Sequence, residues 1–154
     1  MKIEIIKFGK PAFAECRSMT DQYEKRLRKL APTDNVLLKA SEDDRVNAKL
    51  LAKVIAPLEK RHRQQLICLD EHGKPFPTMK LADNLRTWRD SPEVDRVTFV
   101  VGGPYGLPQQ LLEEANSLLS FGPGTFPSDI AWLLTWEQVY RAQTIIHRLP
   151  YHHE

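Results

Sequence analysis

Apolar and polar positions along the chain predict an alternation of strands and helices. Apolar or alternating runs typical of strands occupy four segments, at residues 2–8, 36–38, 65–69 and 96–101. Elsewhere, apolar residues recur at steps of three and four, which indicates one buried face of a helix. These helical segments lie at about residues 13–30, 46–58, 78–89, 108–119 and 129–147.

Strands that alternate with helices are typical of a mostly parallel sheet with helices on both faces. The chain has 154 residues, the length of one domain, and shows no internal repeat, low-complexity tract or interdomain linker. The pattern therefore predicts a single α/β domain over residues 1–154.

The last predicted strand, at residues 96–101, ends in a loop that is poor in side chains. Two glycines, a proline, a tyrosine and a third glycine follow it at residues 102–106. Ligands of open α/β sheets bind at the carboxyl ends of strands, and glycine lets a flat ligand approach the backbone. The loop matches neither the dinucleotide fingerprint nor the P-loop. It predicts either a different kind of ligand site or a plain strand-to-helix turn.

Three polar or glycine-rich loops follow apolar segments, at residues 70–75, 102–106 and 120–127. Because parallel strands end at the same edge of a sheet, we expect the first two loops to lie side by side. A cofactor across them would contact backbone groups and apolar walls from Leu69, Leu107, Phe121 and Phe126. No carboxylate pair, Ser/His/Asp order or Cys/His nucleophile arrangement stands out.

Composition narrows the class of protein. Apolar residues make up 42% and charged residues 27%, with no apolar run long enough for a membrane span, so we expect no membrane partner. The N-terminal segment predicts a strand rather than a signal peptide, and Cys16 and Cys68 imply no disulfide framework, which favours a cytoplasmic protein.

The net charge of +2 is too mild to indicate nucleic-acid binding. Basic residues within 25–29 and 60–63 suit either phosphate contacts or solvated helix faces.

The chain ends on an unusual run, Pro150-Tyr151-His152-His153-Glu154. It is either a frayed end, the remnant of a tag or a chemical group, since histidine titrates near neutrality and can take a proton from an imide nitrogen. Metal binding by His147, His152 and His153 is a further alternative, but their spacing matches no standard site, so we expect no metal.

Several segments, taken in order, resemble one known family. They are Gly102–Leu107, Leu119–Gly122, Thr125–Pro127, Glu137–Ala142 and Pro150–His152. The N-terminal Lys2-Ile3 strand with Gly9-Lys10 and the strand end Leu69-Asp70 also fit. Over its whole length the chain resembles the RlmH family of SPOUT-class methyltransferases, which methylate N3 of a pseudouridine in large-subunit ribosomal RNA.

The resemblance implies a fold and a cofactor. The fold is the SPOUT-type α/β knot, with a deep C-terminal trefoil knot from about residue 66 to residue 154. The cofactor is S-adenosyl-L-methionine, and no metal is implied. Matching the family's motifs residue by residue gives the cofactor-binding positions Leu69, Gly102, Gly103, Gly106, Ser120, Phe121, Gly122, Thr125 and Phe126.

The resemblance also implies partners and a reaction. The protein is expected to be a homodimer that shares its active site between protomers, with the helix Glu137–Ala142 in or near the interface. Its substrate is expected to be a pseudouridine in helix 69 of 23S rRNA within the assembled ribosome. The catalytic candidates are Tyr151, for stacking or orientation, and His152, for proton removal or base contact.

The chain departs from the family at three positions. Ser128 stands where a histidine is common, Trp132 where an arginine is usual, and His153 where the tail usually continues with Arg or Lys. These losses keep two alternatives open: a knotted module that binds the cofactor or the ribosome without methyl transfer, and a methyltransferase for another RNA site. Without the resemblance, an α/β protein that binds nucleotide phosphate at residues 102–106 is a third.

Overall fold

The computed structural model of the chain describes residues 1–39, 54–55, 58–104 and 106–153. Its strands are β1 (Lys2–Phe8), β2 (Thr33–Leu38), β3 (Gln64–Pro75), β4 (Arg96–Val101) and β5 (Ser117–Ser120). Its helices are α1 (Ala14–Leu27), a 3₁₀ helix (Leu58–Arg63), α2 (Thr78–Asp90), α3 (Gln109–Glu114) and α4 (Ser128–Ile146). Most of the helix predicted at 46–58 lies outside the described residues.

The five strands form one sheet in the order β2-β1-β4-β3-β5, and every neighbouring pair is parallel. Side chains that alternate along the strands feed two apolar clusters. One holds Ile5 and Phe99 with residues of α1, α2 and α4, and the other holds Phe8 and Val100 with Leu111 of α3. The predicted parallel sheet with helices on both faces is confirmed. No helix in the described part of the chain is long and apolar enough to cross a membrane.

The helix predicted at 108–119 is wrong in its second half. It ends at Glu114, and Ser117–Ser120 forms the fifth strand beside β3. The side chain of Asn116 accepts a hydrogen bond from the N–H of Leu66 at 2.7 Å, and its own N–H donates to the carbonyl of Leu66 at 2.8 Å. Both bonds tie residue 116 to the sheet, which overrides the apolar spacing of the leucines.

The polar loop predicted at 70–75 is also wrong, because β3 continues through it to Pro75. The pairing with β5 changes register between Leu69 and Lys74, so the strand carries an irregularity where a loop was expected. Within it, a Cβ on Gly73 would lie 2.8 Å from the backbone of Leu118, which only glycine permits. Strand β2 is longer than predicted and begins at Thr33.

Candidate functional site

A cavity of about 600 Å³ lies where β1, β4 and β5 end, beside the middle of β3. This volume is in the range of sites that hold cofactors. Eight of the nine predicted cofactor-binding residues line it: Leu69, Gly102, Gly103, Gly106, Ser120, Phe121, Thr125 and Phe126. Segments that are 57 residues apart in sequence, from 69 to 126, are therefore brought to one place by the parallel sheet.

The loop after β4 has a shape that requires glycine. A Cβ on Gly102 would lie 2.9 Å from the backbone carbon of Gly106, too close for any side chain. Gly106 has a φ of +73°, and its N–H donates to the carbonyl of Gly103 at 3.0 Å. The space around Gly106 is open. The loop therefore offers bare backbone to a ligand.

The turn after β5 is held by its own serine. The Ser120 hydroxyl donates to the carbonyl of Gly122 at 2.8 Å and accepts from its N–H at 3.1 Å. Gly122, the ninth predicted residue, does not line the cavity but has a φ of +134° that the turn needs. Ser120 and Gly122 consequently shape the wall, while Phe121 between them faces the cavity as an apolar surface.

The remaining cavity wall combines apolar side chains with an acidic edge. Leu69, Leu107 and Leu119 supply apolar surface, and Asp70 and Glu71 also line the cavity. Glu71 accepts a hydrogen bond from the Thr125 hydroxyl at 2.9 Å, and Asp70 accepts one from the N–H of His72 at 2.8 Å. Such a site suits a flat apolar group whose hydroxyl or ammonium substituents meet carboxylates.

An ion pair that the sequence pattern did not single out lies in the same cavity wall. Lys7 is 1% and Asp129 3% exposed, and the Lys7 ammonium lies 3.1 Å from a carboxylate oxygen of Asp129. The other carboxylate oxygen accepts from the N–H groups of Ala12, at 2.6 Å, and Phe13, at 2.8 Å. The available signal was a lysine inside an apolar strand, between Ile6 and Phe8.

Opposing effects act on the Asp129 carboxyl. Burial raises its pKa, while hydrogen bonds from the N–H of Phe13, from Lys7 and from the N–H of Ala12 lower it. The hydrogen bonds and the Lys7 charge prevail together, so the pKa of Asp129 lies below its ordinary value. Asp129 is therefore ionised at neutral pH and compensated by Lys7.

Within a single chain, the catalytic candidates Tyr151 and His152 lie outside this cavity. The Tyr151 hydroxyl donates to Glu137 at 3.2 Å and shares a second hydrogen bond with the Tyr23 hydroxyl, also at 3.2 Å. The Tyr151 ring lies 4.8 Å from the ring of Tyr140, edge to face, and 4.7 Å from the Arg141 guanidinium. Burial, the bond with Tyr23 and the charge of Glu137 raise the pKa of Tyr151 well above its usual range.

His152 follows this anchored tyrosine. Its Nδ1 lies 3.5 Å from the Arg141 guanidinium, and its side chain is partly exposed. Neither Tyr151 nor His152 lines the cavity, so a single chain does not join them to the predicted cofactor residues. Among the described residues no group of three metal-ligating side chains forms, so His147, His152 and His153 do not make one.

The three positions that depart from the family differ in their surroundings. Ser128 lines the cavity, and its hydroxyl lies 3.4 Å from the Lys7 ammonium, so a buried cation stands beside it. Trp132 is fully buried in the core with Trp136 and Val139. No cation is therefore missing from an exposed surface at position 132. His153 is exposed near the end of the chain.

Known proteins resemble this chain both in sequence and in fold. The sequence model of a family described as "Predicted SPOUT methyltransferase" matches residues 1–152. The "Ribosomal RNA large subunit methyltransferase H" of Thermus thermophilus is 34% identical over 152 residues, covering 99% of this chain and 98% of the relative. The protein of that name from Solidesulfovibrio magneticus is 33% identical over 154 residues, covering 98% of each. A solved "probable methylase family protein" from Haemophilus influenzae shares the fold, with a TM-score of 0.53, 11% identity and coverage of 99% of this chain and 70% of that chain.

Proposed function

The chain belongs to the SPOUT methyltransferase family, and from this membership we propose that it methylates large-subunit ribosomal RNA. The methyl donor is S-adenosylmethionine, and the acceptor is N3 of a pseudouridine in helix 69 of 23S rRNA within the assembled ribosome. One observation carries the proposal: the cavity gathers eight of nine residues assigned to the cofactor by the family's motifs. Full-length relatives named as large-subunit methyltransferases support the RNA class, and an rRNA substrate supports a cytoplasmic location.

The residues present fit this cofactor. The bare backbone of Gly102, Gly103 and Gly106 and the apolar surfaces of Leu69 and Phe121 would hold the adenine. Asp70 and Glu71 would face its hydroxyl and ammonium groups. When bound, S-adenosylmethionine supplies an electrophilic methyl group on a sulfonium. The chain then has to orient the acceptor nitrogen and remove its proton.

The acceptor nitrogen carries an imide proton, so the reaction needs a base. We assign proton removal or contact with the nucleobase to His152, and orientation of the nucleobase to Tyr151. Tyr151 is already held by Tyr23, Glu137 and Arg141, which supports an orienting role for the tail as a whole. Turnover by His152→Ala at neutral pH equal to that of the wild type would exclude proton removal by this side chain.

The separation of tail and cavity in one chain supports a homodimer with a shared active site. The tail of one protomer would meet the cavity of its partner, with the helix segment Glu137–Ala142 in or near the interface. Mixing Gly102→Ala subunits with His152→Ala subunits tests this arrangement. A shared site regains activity in heterodimers, since one site then has both groups intact, whereas separate sites stay inactive.

The family's trefoil knot is part of the proposal, over residues from about 66 to 154. The place of β5 in the sheet supports it, because β5 pairs with β3 although β4 lies between them in sequence. A knot resists mechanical unthreading. Pulling on both ends of this segment should therefore give an extended chain that is shorter than its full contour length by a fixed amount. Recovery of the full contour length would exclude the knot.

A methyl-transfer assay tests the function. Labelled S-adenosylmethionine is incubated with assembled ribosomes that lack the modification, and naked 23S rRNA serves as the comparison. Label at pseudouridine N3 in the assembled ribosome is the expected result. Cofactor binding in calorimetry without transfer of label would instead favour the second candidate, a binding module. The reason to consider it is that Ser128 and His153 replace the basic side chains usual in the family.

A further inference from the structure

Phe13 is a large apolar side chain left exposed at a cavity. It immediately precedes α1, lines the cavity and is 49% exposed. Phe126 lines the same cavity and is 40% exposed. Most large apolar side chains in the described part of the chain are buried, so two half-exposed rings at one cavity are exceptions that point to a ligand.

The backbone that carries Phe13 is fixed rather than loose. The N–H groups of Ala12 and Phe13 both donate to Asp129, at the start of α4. Lys7 compensates the charge of Asp129 within the protein interior. The buried Lys7–Asp129 ion pair therefore attaches the segment between β1 and α1 to the start of α4 and sets the position of the Phe13 backbone.

This side of the cavity differs in chemistry from the side assigned to the cofactor. The cofactor side consists of loops after β4 and β5 and of β3, whereas Phe13 and Lys10 come from the segment after β1. Lys10 is exposed and also lines the cavity. Phe13 thus offers an aromatic ring and Lys10 an exposed cation at the same cavity, and these are what an unpaired base and its phosphate bind, the base by stacking and the phosphate by charge.

We propose that Phe13 is the surface on which the target base of the RNA stacks, and that the Lys7–Asp129 ion pair positions it. The inference rests on the proposed function, because that function brings an unpaired base to this cavity. Phe13 is then a binding residue, whereas Lys7 and Asp129 are positioning residues that act through the backbone of residues 12 and 13.

Variants of Phe13 test the stacking. Phe13→Leu keeps an apolar side chain but removes the aromatic face, so kcat/KM for assembled ribosomes should fall about tenfold or more. The affinity for S-adenosylmethionine, measured by calorimetry, should change less than about twofold. Phe13→Trp should restore most of the rate. Leu37→Ala, an exposed apolar residue on the edge strand β2 outside the cavity, should leave both quantities unchanged.

The positioning role has its own test. Lys7→Met with Asp129→Ala removes both charges and the acceptor for residues 12 and 13, and should reproduce the loss seen with Phe13→Leu. Lys7→Met with Asp129→Asn is equally neutral but keeps an acceptor oxygen, and should recover part of the rate. Thermal unfolding of both double variants identifies any loss that reflects folding alone. Equal rates in the two double variants would overturn the positioning role.

Failure of the stacking proposal is distinguishable from failure of the proposed function. Wild-type rates in Phe13→Leu, or a parallel loss of cofactor affinity, would overturn the stacking. If the wild type binds the cofactor but transfers no methyl group, the function fails, and equilibrium binding of labelled protein to ribosomes decides the role of Phe13. Weaker binding by Phe13→Leu than by the wild type supports stacking. Equal binding, or no binding by either, overturns it.

Discussion

The cavity and the C-terminal tail differ in the interactions that hold them in place. The cavity is shaped by backbone, with glycine at 102 and 106 and a serine that holds its own turn at 120. The tail is held by side chains, through the hydroxyls, rings and charges around Tyr151. Residues of one chain line the cavity, whereas the tail of that chain contacts α1 and α4 outside the cavity.

This difference separates what each region can do alone. The loops of the cavity are positioned by the sheet rather than by the tail, so cofactor binding should survive changes in the tail. A tail held by side chains can be altered without disturbing the sheet, and its function depends on what its exposed side meets. The ion pair that supports one wall of the cavity should therefore be independent of the tail.

Loss of the Lys7 charge should give the largest effect. Lys7→Met leaves Asp129 buried without a counter-charge, and breaking such a pair costs about 3–5 kcal/mol in the free energy of unfolding. Urea unfolding followed by circular dichroism measures this loss. The tail contacts of Tyr151 do not involve Lys7, so the effect should act through the cavity wall and the core.

A lysine on the same strand provides the control. Lys2 pairs with Asp34 on the surface, where both side chains are nearly half exposed, so Lys2→Met should cost at most about 1 kcal/mol. Equal losses in Lys2→Met and Lys7→Met would show that burial of the second pair contributes nothing.

A methyl group at residue 102 should damage the cavity but not the tail. In Gly102→Ala the new Cβ would meet the backbone of Gly106 at 2.9 Å, and the loop must shift. Overpacking of this kind costs about 1–3 kcal/mol, so affinity for S-adenosylmethionine should fall about tenfold to a hundredfold in calorimetry. Gly124→Ala is the matched control. Gly124 lines the same cavity with open space around it, and an unchanged affinity is expected.

The fold was more predictable from the sequence than the site. Regular apolar spacing located β1, α2, β4 and α4, since the sheet and its helices bury one face at a fixed period. It failed at Ser117–Ser120, where apolar leucines suited a helix and the hydrogen bonds of Asn116 to Leu66 decided for a strand. Those bonds join residues 50 apart, which no local pattern contains.

The cavity residues were predictable because motifs mark glycines that the backbone requires. The Lys7–Asp129 ion pair was not, since its partners are far apart in sequence and neither belongs to a motif. The position of the tail was also hidden. Its neighbours Tyr23 and Glu137 come from different helices, and only the packing of α1 against α4 brings them to Tyr151.

Removal of one tail hydroxyl should affect turnover and leave the cavity intact. Tyr151→Phe loses the hydrogen bonds with Tyr23 and Glu137 but keeps the ring contacts, at a cost of about 1 kcal/mol. We expect methyl transfer to fall about fivefold with the cofactor affinity unchanged. Tyr140→Phe keeps both hydrogen bonds of Tyr151 and serves as the control. A drop in cofactor affinity with Tyr151→Phe would contradict the independence of the two regions.

Acid titration should give the smallest effect and separate the two regions by pH. The pKa of Asp129 lies below its ordinary value of 3.8, so the folded state favours the ionised form. Its contribution to stability is fully present above 3.8 and is lost as the pH falls through the lower pKa of the folded state. In Lys7→Met the pKa of Asp129 rises, because burial then acts against fewer stabilising contacts, and the loss should begin at a higher pH. Unfolding free energies of the wild type, Lys7→Met and Tyr151→Phe measured from about pH 7 to about pH 3 test this. Tyr151→Phe should follow the wild-type curve. A curve for Lys7→Met that is parallel to the wild-type curve would show that the backbone N–H groups of residues 12 and 13 alone lower the pKa of Asp129.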